Sequence, residues 1–165
     1  MTSPKLGGEY RGKAHLYMGA RQRHDDVRQL LTLEGFGQPE AQILDVGCGS
    51  LRETLHLADT ALRLVAIDRS ADMLNLIPKR GNITPLCLDA NGALPFPDKS
   101  FTHASMISSI HHISRLDELL REAARVLSPN GRLLIVTSDP EIVAAREIYS
   151  YFPGLAAQAS RRFLP

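Results

Sequence analysis

The sequence has little cysteine, no tryptophan and almost no net charge. Its two cysteines, Cys48 and Cys87, are too few for a disulfide framework or a zinc cluster, which favours a reducing cytoplasm. The 19 Lys and Arg residues nearly balance the 18 Asp and Glu residues. A formal net charge of +1 gives no electrostatic reason to expect binding to nucleic acid or to a charged membrane surface.

Long apolar runs are also missing. No stretch approaches the roughly 20 apolar residues of a membrane span, and the first ten residues lack the apolar core of a secretory signal. Hydrophobic residues nevertheless make up 44% of the 165 residues, enough to bury a sizeable core. We therefore expect one compact cytoplasmic domain that neither enters a membrane nor leaves the cell.

Short apolar runs alternate with helical patterns from residue 41 onward. The strands are predicted at residues 43–46, 64–68, 83–89, 101–107 and 133–137. Helices are predicted behind Ser70 and Ser114 as N-caps, and a capping-box pattern from Ser50 to Glu53 predicts a helix through about residue 62. This alternation predicts a doubly wound, Rossmann-like, mostly parallel α/β sheet in the order 3-2-1-4-5. Pro85 places the third strand at an edge, because proline cannot donate to a ladder.

The predicted core covers residues 40–138, with a segment on either side. Residues 1–39 are predicted to form an N-terminal helical arm that caps the core, with Val27, Leu30 and Leu31 on its apolar face and Gly35 at its stop. Residues 139–165 are predicted to be helical. They are expected to form part of the region that binds an acceptor substrate.

Polar residues collect where the predicted strands end. Asp45, Gly47 and Gly49 end the first strand, while Asp68 and Asp89 end the second and third. Ligands of open parallel sheets bind beyond these ends, so one crevice is predicted to hold these five residues together with the polar residues that follow the fourth strand, Ser108, Ser109, His111 and His112. The glycines permit a tight turn with exposed backbone N–H groups, and Asp68 follows at about the spacing of an acid that binds ribose hydroxyls. The pattern indicates a nucleoside ligand.

This region resembles the class I S-adenosylmethionine-dependent methyltransferases, particularly the ubiquinone- and menaquinone-type small-molecule group. The matching segments occur in order at residues 43–50, 66–74, 88–96, 110–113 and 125–133. The resemblance implies S-adenosylmethionine as cofactor and a small-molecule methyl acceptor as partner. Two rival functions stay open. One is a nicotinamide-dependent oxidoreductase, although Arg52 replaces a glycine of the dinucleotide fingerprint. The other is a cofactor-binding remnant without catalysis.

The resemblance also implies which residues hold the methionine and ribose parts of the cofactor. Asp45, Gly47 and Gly49 would face the methionine part, and the turn after Met106 would pass near the sulfonium. Asp68 would accept hydrogen bonds from the ribose hydroxyls. Two of these residues have structural alternatives: Asp45 could bond the amides of the next turn, and Asp68 could cap the next helix.

At the adenine end, Asp89 and the Ala90 backbone would meet the base, and Met73 would pack against the ring. Cys48 and Arg69 complete the set of residues expected to bind the cofactor. A turn-forming role for Asp89, a core role for Met73 and a packing role for Cys48 stay open as alternatives.

Histidines follow the fourth strand. His111 and His112 are candidates for a general base, because imidazole titrates near neutrality and this segment is expected to border the acceptor. His111 is the preferred candidate of the two. The family pattern often carries histidine here without base chemistry.

Two departures from the family pattern stand out. Leu51 occupies the place of a third glycine. With Ser50 as N-cap, Leu51 is expected at the first helical position with ordinary backbone angles, which leaves the question whether its side chain crowds the methionine tail. The usual pair of antiparallel strands after the fifth strand is also not predicted. We expect the apolar strand-five edge to be covered by the N-terminal arm, by a second subunit in a homodimer, or by sequence lost through truncation.

Overall fold

The computed structural model describes residues 25–137 and contains a five-stranded sheet. The strand order is β3-β2-β1-β4-β5, and all four pairs of neighbours run parallel. The strands are β1 Gln42–Val46, β2 Arg63–Asp68, β3 Ile83–Cys87, β4 Phe101–Ile107 and β5 Leu127–Val136. This is the predicted Rossmann-like order. The predictions for residues 139–165 and for most of the N-terminal arm concern residues outside the described range.

Within residues 25–137, three α-helices and two 3₁₀ turns accompany the sheet. The helices are α1 Asp25–Leu33, α2 Ala71–Leu74 and α3 Leu116–Val126, and the 3₁₀ turns span Leu55–Asp59 and Ile110–His112. Within residues 25–137 no helix has both the length and the apolar composition to cross a membrane.

Strand β1, at the centre of the sheet, carries an apolar run because helices and turns cover both faces of the sheet there. Successive side chains of a strand point to opposite faces. Ile43 of β1 packs in a cluster with Leu31 and Phe36 on one face, while Leu44 packs in a second cluster with Phe101 on the other. All five side chains are essentially excluded from solvent. The sheet is therefore the middle layer of a single core.

The edge position of β3 is confirmed. In the part of the chain that the structure describes, β3 pairs only with β2, and Pro85 stands opposite Ala66 in that pairing. The strand ends at Cys87, two residues before the predicted end at Asp89, so Asp89 lies in the loop that follows. This loop position leaves the Asp89 carboxylate outside the ladder.

Helix α1 ends in a Schellman motif. Gly35 has φ +80°, its N–H donates to the Thr32 carbonyl at 3.1 Å, and the Phe36 N–H donates to the Leu31 carbonyl at 3.0 Å. The predicted stop at Gly35 is thus observed. The predicted apolar face is wrong in part, because Leu30 is 44% exposed whereas Val27 and Leu31 are buried.

The helix predicted from Ser50 to about residue 62 is replaced by a turn and the 3₁₀ segment Leu55–Asp59. Leu51 has φ +60°, a left-handed conformation that no right-handed helix contains. The capping-box interpretation of Ser50 and Glu53 is therefore wrong, since the helix that it would begin does not form. Helix α2 is also shorter than predicted, although Ser70 does accept a hydrogen bond from the Met73 N–H at 3.4 Å as its N-cap.

Helix α3 begins at Leu116, one residue later than a cap at Ser114 predicts. Its N-cap is Arg115, without a side-chain cap bond, so the prediction of Ser114 as N-cap is wrong. Ser114 instead donates from its N–H and hydroxyl to the Asn91 Oδ1, at 2.8 and 2.9 Å. The start of α3 is thereby tied to the loop after β3.

Strand β5 is longer and more exposed than predicted. It begins at Leu127 rather than at the predicted residue 133, and it contains an irregularity at Asn130, which has φ +65°. Phe101 stands opposite Leu127 while His103 stands opposite Arg132, which leaves extra residues on β5. Ile135 of this strand is 39% exposed.

Candidate active site

The turn after β1 is built on two glycines in the left-handed region. Gly47 has φ +69° and Gly49 has φ +55°. A Cβ at Gly47 would lie 2.4 Å from the Cβ of Ser109, so any larger residue would displace the segment after β4. The N–H groups of Gly47 and Cys48 both donate to the Ile67 carbonyl of β2, at 2.8 and 3.1 Å. These bonds and contacts fix the turn between β2 and β4.

Asp68, at the end of β2, connects this turn to helix α2. Its Oδ2 accepts from the Gly49 N–H at 2.8 Å, and its Oδ1 accepts from the Ser70 N–H at 2.8 Å. A carboxylate offers about four lone-pair positions, so these two bonds leave capacity for two further donors. The structural and the ligand-binding interpretations of Asp68 are therefore compatible.

Asp45 is buried beneath the turn and held by two hydroxyl groups. The Thr54 hydroxyl donates to Oδ2 at 2.6 Å, and the Ser105 hydroxyl donates to Oδ1 at 2.8 Å. Burial raises the pKa of Asp45 to about 6, and the two hydroxyl bonds oppose that rise in part. The nearby Asp68 and Glu53 carboxylates add to the increase. The alternative interpretation had Asp45 bonded to the amides of the next turn. Its observed partners are instead hydroxyl groups, one from β4 and one from the segment after β1.

Asp89 forms a turn with Asn91. Its Oδ1 accepts from both the N–H and the side-chain amide of Asn91, at 3.0 and 2.8 Å. The Asn91 Oδ1 in turn accepts from the N–H of Ser114 and, at 3.3 Å, from that of Arg115. The turn-forming interpretation of Asp89 is thus observed, and it orients this loop toward the start of α3.

One cleft brings most of the predicted site residues together. Its walls come from the turn after β1, the ends of β2 and β3, and the segment after β4. The predicted residues that line it are Asp45, Gly47, Cys48, Gly49, Asp68, Arg69, Met73, Asp89, Ala90 and His112. Two predicted residues do not line it: His111, and Met106, which is buried in the core beside the sheet.

The two histidines differ in their position. His112 lines the cleft, and its ring centroid lies 4.2 Å from that of His111. Burial, and after it the positive charge of Arg69, lower the pKa of His112 below the ordinary histidine value. The preference for His111 is therefore not supported by position, since His112 is the histidine at the cleft wall.

Leu51 does not enter the cleft. The expectation of ordinary backbone angles at this position is wrong, because Leu51 has φ +60°. Its side chain is fully buried in the same cluster as Leu31 and Phe36, on the α1 side of the sheet. The positive φ turns the leucine away from the ligand face, so it leaves the space along the glycine turn clear.

The cleft fits an adenosyl ligand. The glycine turn is a cradle in which a side chain would collide, because a Cβ at Gly49 would also lie 3.0 Å from the Met73 Cε. Asp68 keeps acceptor capacity at the neighbouring strand end. Burial, followed by the charges of Asp45 and Asp68, raises the pKa of the Cys48 thiol, which favours a packing role over nucleophilic chemistry. Among residues 25–137 no cluster of three or more potential ligands is arranged to hold a metal ion.

Among the cleft residues that sequence reasoning missed are Asn91 and Glu53. Ser109, which was expected in the crevice with the polar residues after the fourth strand, lines the cleft and donates to the Val46 carbonyl at 2.8 Å. Glu53 also lines it, although the sequence pattern had indicated a helix-capping residue. The spacing of Asp89 and Asn91 is a local signal that could have indicated an Asx turn. The position of Glu53 had no such signal, because it depends on the backbone of Leu51.

A family model described as a methyltransferase domain matches residues 44–135. A demethylmenaquinone methyltransferase of Tropheryma whipplei is 40% identical over 98 residues, covering 57% of this chain and 40% of that protein. A fatty-acid O-methyltransferase of Mycolicibacterium smegmatis is 36% identical over 103 residues, covering 60% of this chain and 38% of that protein. The chain thus spans about 40% of the length of these curated relatives.

A solved structure agrees on the fold. An S-adenosylmethionine-dependent methyltransferase of Mesorhizobium loti matches with a TM-score of 0.63 at 24% identity, covering 70% of this chain and 55% of that one. The family model alone covers more than half of the sequence. It includes the glycine turn and the acids that end or follow the first three strands. This chain belongs to the class I S-adenosylmethionine-dependent methyltransferases.

Proposed function

We propose that this chain binds S-adenosylmethionine in the cleft and takes part in methyl transfer to a small-molecule acceptor. The observation that carries the proposal is the convergence on one cleft, beside a glycine turn, of Asp45 from β1, Asp68 from β2 and Asp89 from the loop after β3. Parallel strands in this order present their carboxyl ends side by side. An elongated nucleoside ligand is the kind of molecule that can use all three ends at once.

Each part of the site has a distinct proposed task in holding the cofactor. Asp68 would accept from the two ribose hydroxyls with the acceptor capacity that the Gly49 and Ser70 amides leave. The loop of Asp89 and Ala90 would hold the adenine, with Met73 beneath it. The cofactor supplies an activated methyl carbon when bound. The chain then contributes alignment and exclusion of water, which can supply much of the rate acceleration.

The acceptor is proposed to approach from the segment after β4. Ile107, Ser108, His112 and Ile113 form that wall of the cleft, which combines apolar surface with one imidazole. Burial, followed by the charge of Arg69, lowers the pKa of His112 and so favours the neutral ring, the form that can accept a proton from an acceptor that must lose one. The relatives' names suggest two acceptor classes to try, a quinone precursor and a fatty-acid carboxylate.

Calorimetric titration with S-adenosylhomocysteine tests the cofactor proposal. We expect the wild-type chain to bind it, and the Asp68→Ala variant to bind at least about 10-fold more weakly, since two charge-assisted hydrogen bonds are lost. NAD serves as the comparison ligand for the oxidoreductase rival. Equal affinity of both proteins for S-adenosylhomocysteine, or preferential binding of NAD, would contradict the proposal.

Product analysis by mass spectrometry tests catalysis separately from binding. The chain is incubated with S-adenosylmethionine and either a demethylated quinone precursor or a fatty acid. A mass increase of one methylene unit in either acceptor is the expected result. Binding of S-adenosylhomocysteine without any methylated product would favour the remnant without catalysis.

A further inference from the structure

Asn91, in the loop after β3, forms hydrogen bonds on two sides. On one side its N–H and its side-chain amide donate to the Asp89 Oδ1, at 3.0 and 2.8 Å. On the other side its Oδ1 accepts from the N–H and the hydroxyl of Ser114, at 2.8 and 2.9 Å. Its backbone carbonyl also accepts from the Arg115 Nη1 at 3.3 Å. One residue thereby joins the loop after β3 to the residues in front of α3.

The Asp89 carboxylate sets the orientation of the Asn91 side chain. An amide has a donor end and an acceptor end, so the donation from Nδ2 to Asp89 turns Oδ1 toward Ser114. Among the described residues, the bonds to Asp89 go to Oδ1, which leaves Oδ2 with its full acceptor capacity. Asp89 lines the cleft. A ligand N–H and Asn91 can therefore bind this carboxylate at the same time.

The segment between β4 and α3 is anchored near both of its ends, and His112 lies between the two anchors. Near its start, the Ser109 hydroxyl donates to the Val46 carbonyl in a buried hydrogen bond. At its end, Ser114 forms exposed hydrogen bonds to Asn91. Water competes more effectively for exposed hydrogen bonds, so the Asn91 anchor is the weaker of the two. Loss of this anchor would therefore release the wall on the side of His112.

We propose that Asn91 is a positioning residue that sets the place of His112 relative to the adenine site. This inference rests on the proposed function, which puts the adenine at Asp89 and the acceptor at the wall that contains His112. Asp89 holds the donor end of the Asn91 amide, and the acceptor end holds Ser114. Asn91 thereby connects the carboxylate of the adenine site to the wall of the acceptor site, without contact to the reacting atoms.

NMR titration of the His112 imidazole tests this role in the ligand-free protein. Burial, followed by the charge of Arg69, lowers the pKa of this ring, which packs beside the ring of His111. In Asn91→Ala we expect the pKa of His112 to rise toward the ordinary histidine value, because a released wall exposes the ring to water and separates it from Arg69. The His112→Gln variant identifies the signal.

Asn82→Ala is the matched control. Asn82 precedes β3 at the opposite end of that strand, where its Nδ2 donates to the carbonyls of Ala58 and Ala61 at 2.8 and 3.1 Å, and it does not line the cleft. We expect this variant to lower the melting temperature and to leave the pKa of His112 unchanged. Ser114→Ala is the milder second variant, because it removes only one hydroxyl donor, and it decides the question if Asn91→Ala does not fold. In Ser114→Ala the pKa of His112 is expected to rise by less than in Asn91→Ala.

Calorimetric titration with S-adenosylhomocysteine separates this inference from the proposed function. We expect Asn91→Ala to bind it about 3- to 10-fold more weakly than the wild-type chain, because binding must then order the loop of Asp89. A wild-type pKa of His112 in both Asn91→Ala and Ser114→Ala, with S-adenosylhomocysteine bound by the wild-type chain, overturns the role of Asn91 alone. An equal rise of the pKa in Asn82→Ala also overturns it, since the effect would then be general loosening. Failure of the wild-type chain to bind S-adenosylhomocysteine overturns the proposed function, whatever the pKa of His112.

Discussion

At the residue scale, the most informative position is Leu51. A leucine with φ +60° is strained by of order 1 to 3 kcal/mol, and this strain persists because the side chain is fully buried among apolar neighbours. Burial of a leucine contributes roughly 2 to 5 kcal/mol relative to alanine, which exceeds the strain. The family's usual glycine provides the backbone angle without strain, and this chain instead adds core packing beneath the cradle.

Paired substitutions at Leu51 separate these two contributions. Leu51→Ala removes the packing and keeps the strain, while Leu51→Gly removes both. We expect both variants to be destabilised in urea unfolding, with glycine about 1 kcal/mol more stable than alanine, because only glycine tolerates the left-handed region freely. An alanine variant more stable than the glycine variant would contradict a left-handed backbone at this position.

The buried carboxylate of Asp45 gives a prediction for pH dependence. Its pKa rises from 3.8 to about 6 on folding, so the folded state holds the proton more tightly than the unfolded state. The associated stabilisation is complete below pH 3.8 and is lost as the pH rises through 6. For the ligand-free protein we expect the free energy of unfolding, relative to Asp45→Asn, to fall by on the order of 3 kcal/mol between about pH 4 and pH 7. Urea unfolding of both proteins across this range measures the difference. Parallel pH profiles would contradict a raised pKa at Asp45.

At the element scale, the strands were more predictable than the connections between them. The bounds of β4 agree with the sequence prediction, because an apolar run in the local sequence indicates a buried strand. Pro85 correctly indicates the edge strand, because proline has no backbone N–H to donate. The prediction of a helix directly after the β1 turn was wrong, because core residues distant in sequence hold Leu51 in an unusual conformation. Asp68 and the glycines could be located as site residues from spacing, whereas Glu53 could not.

The local sequence also does not reveal the contact between α3 and the proline-rich loop of residues 92–98. The Arg125 guanidinium donates to both oxygens of Glu122, at 2.8 and 2.7 Å, and to the carbonyls of Leu94 and Phe96, at 2.9 and 2.8 Å. Glu122 also accepts from the Leu94 N–H at 2.8 Å. These bonds hold the loop that continues from the proposed adenine site.

Replacement of Arg125 by lysine tests this contact. A lysine cannot reproduce the planar set of donors, so we expect Arg125→Lys to lower the melting temperature and to weaken S-adenosylhomocysteine modestly through the adenine loop. The hydrogen bonds from Arg125, followed by that from the Leu94 N–H, lower the pKa of Glu122 to about 2. The stabilisation from Glu122 is therefore present above pH 4.5 and is lost as the pH falls toward 2. Wild-type melting behaviour in Arg125→Lys would contradict the role of this contact.

At the scale of the whole molecule, the described sheet ends at β5. Strand β5 pairs only with β4, and Ile135 on it is 39% exposed. Edge strands with apolar side chains are prone to pair with a further strand or chain. We propose on these two observations that two copies of the chain pair through this edge as a homodimer.

Sedimentation analysis tests the homodimer. We expect the wild-type chain to sediment as a dimer at micromolar concentration and Ile135→Lys to shift it toward the monomer, because a buried lysine would lack a partner. Sedimentation of the wild-type chain as a monomer throughout the concentration range would refute the homodimer.

The close approach of Gly47 and Ser109 has a consequence for the evolution of the acceptor side. Because Gly47 lacks a Cβ and the Ser109 hydroxyl donates to the Val46 carbonyl, the loops on the two sides of the reaction share one wall. If the acceptor uses this wall as proposed, a change of acceptor preference is expected at the other wall residues, such as Ile107 or Ile113, while Ser109 itself stays small. Substrate range in such a protein would then vary around a fixed contact between the glycine turn and the segment after β4.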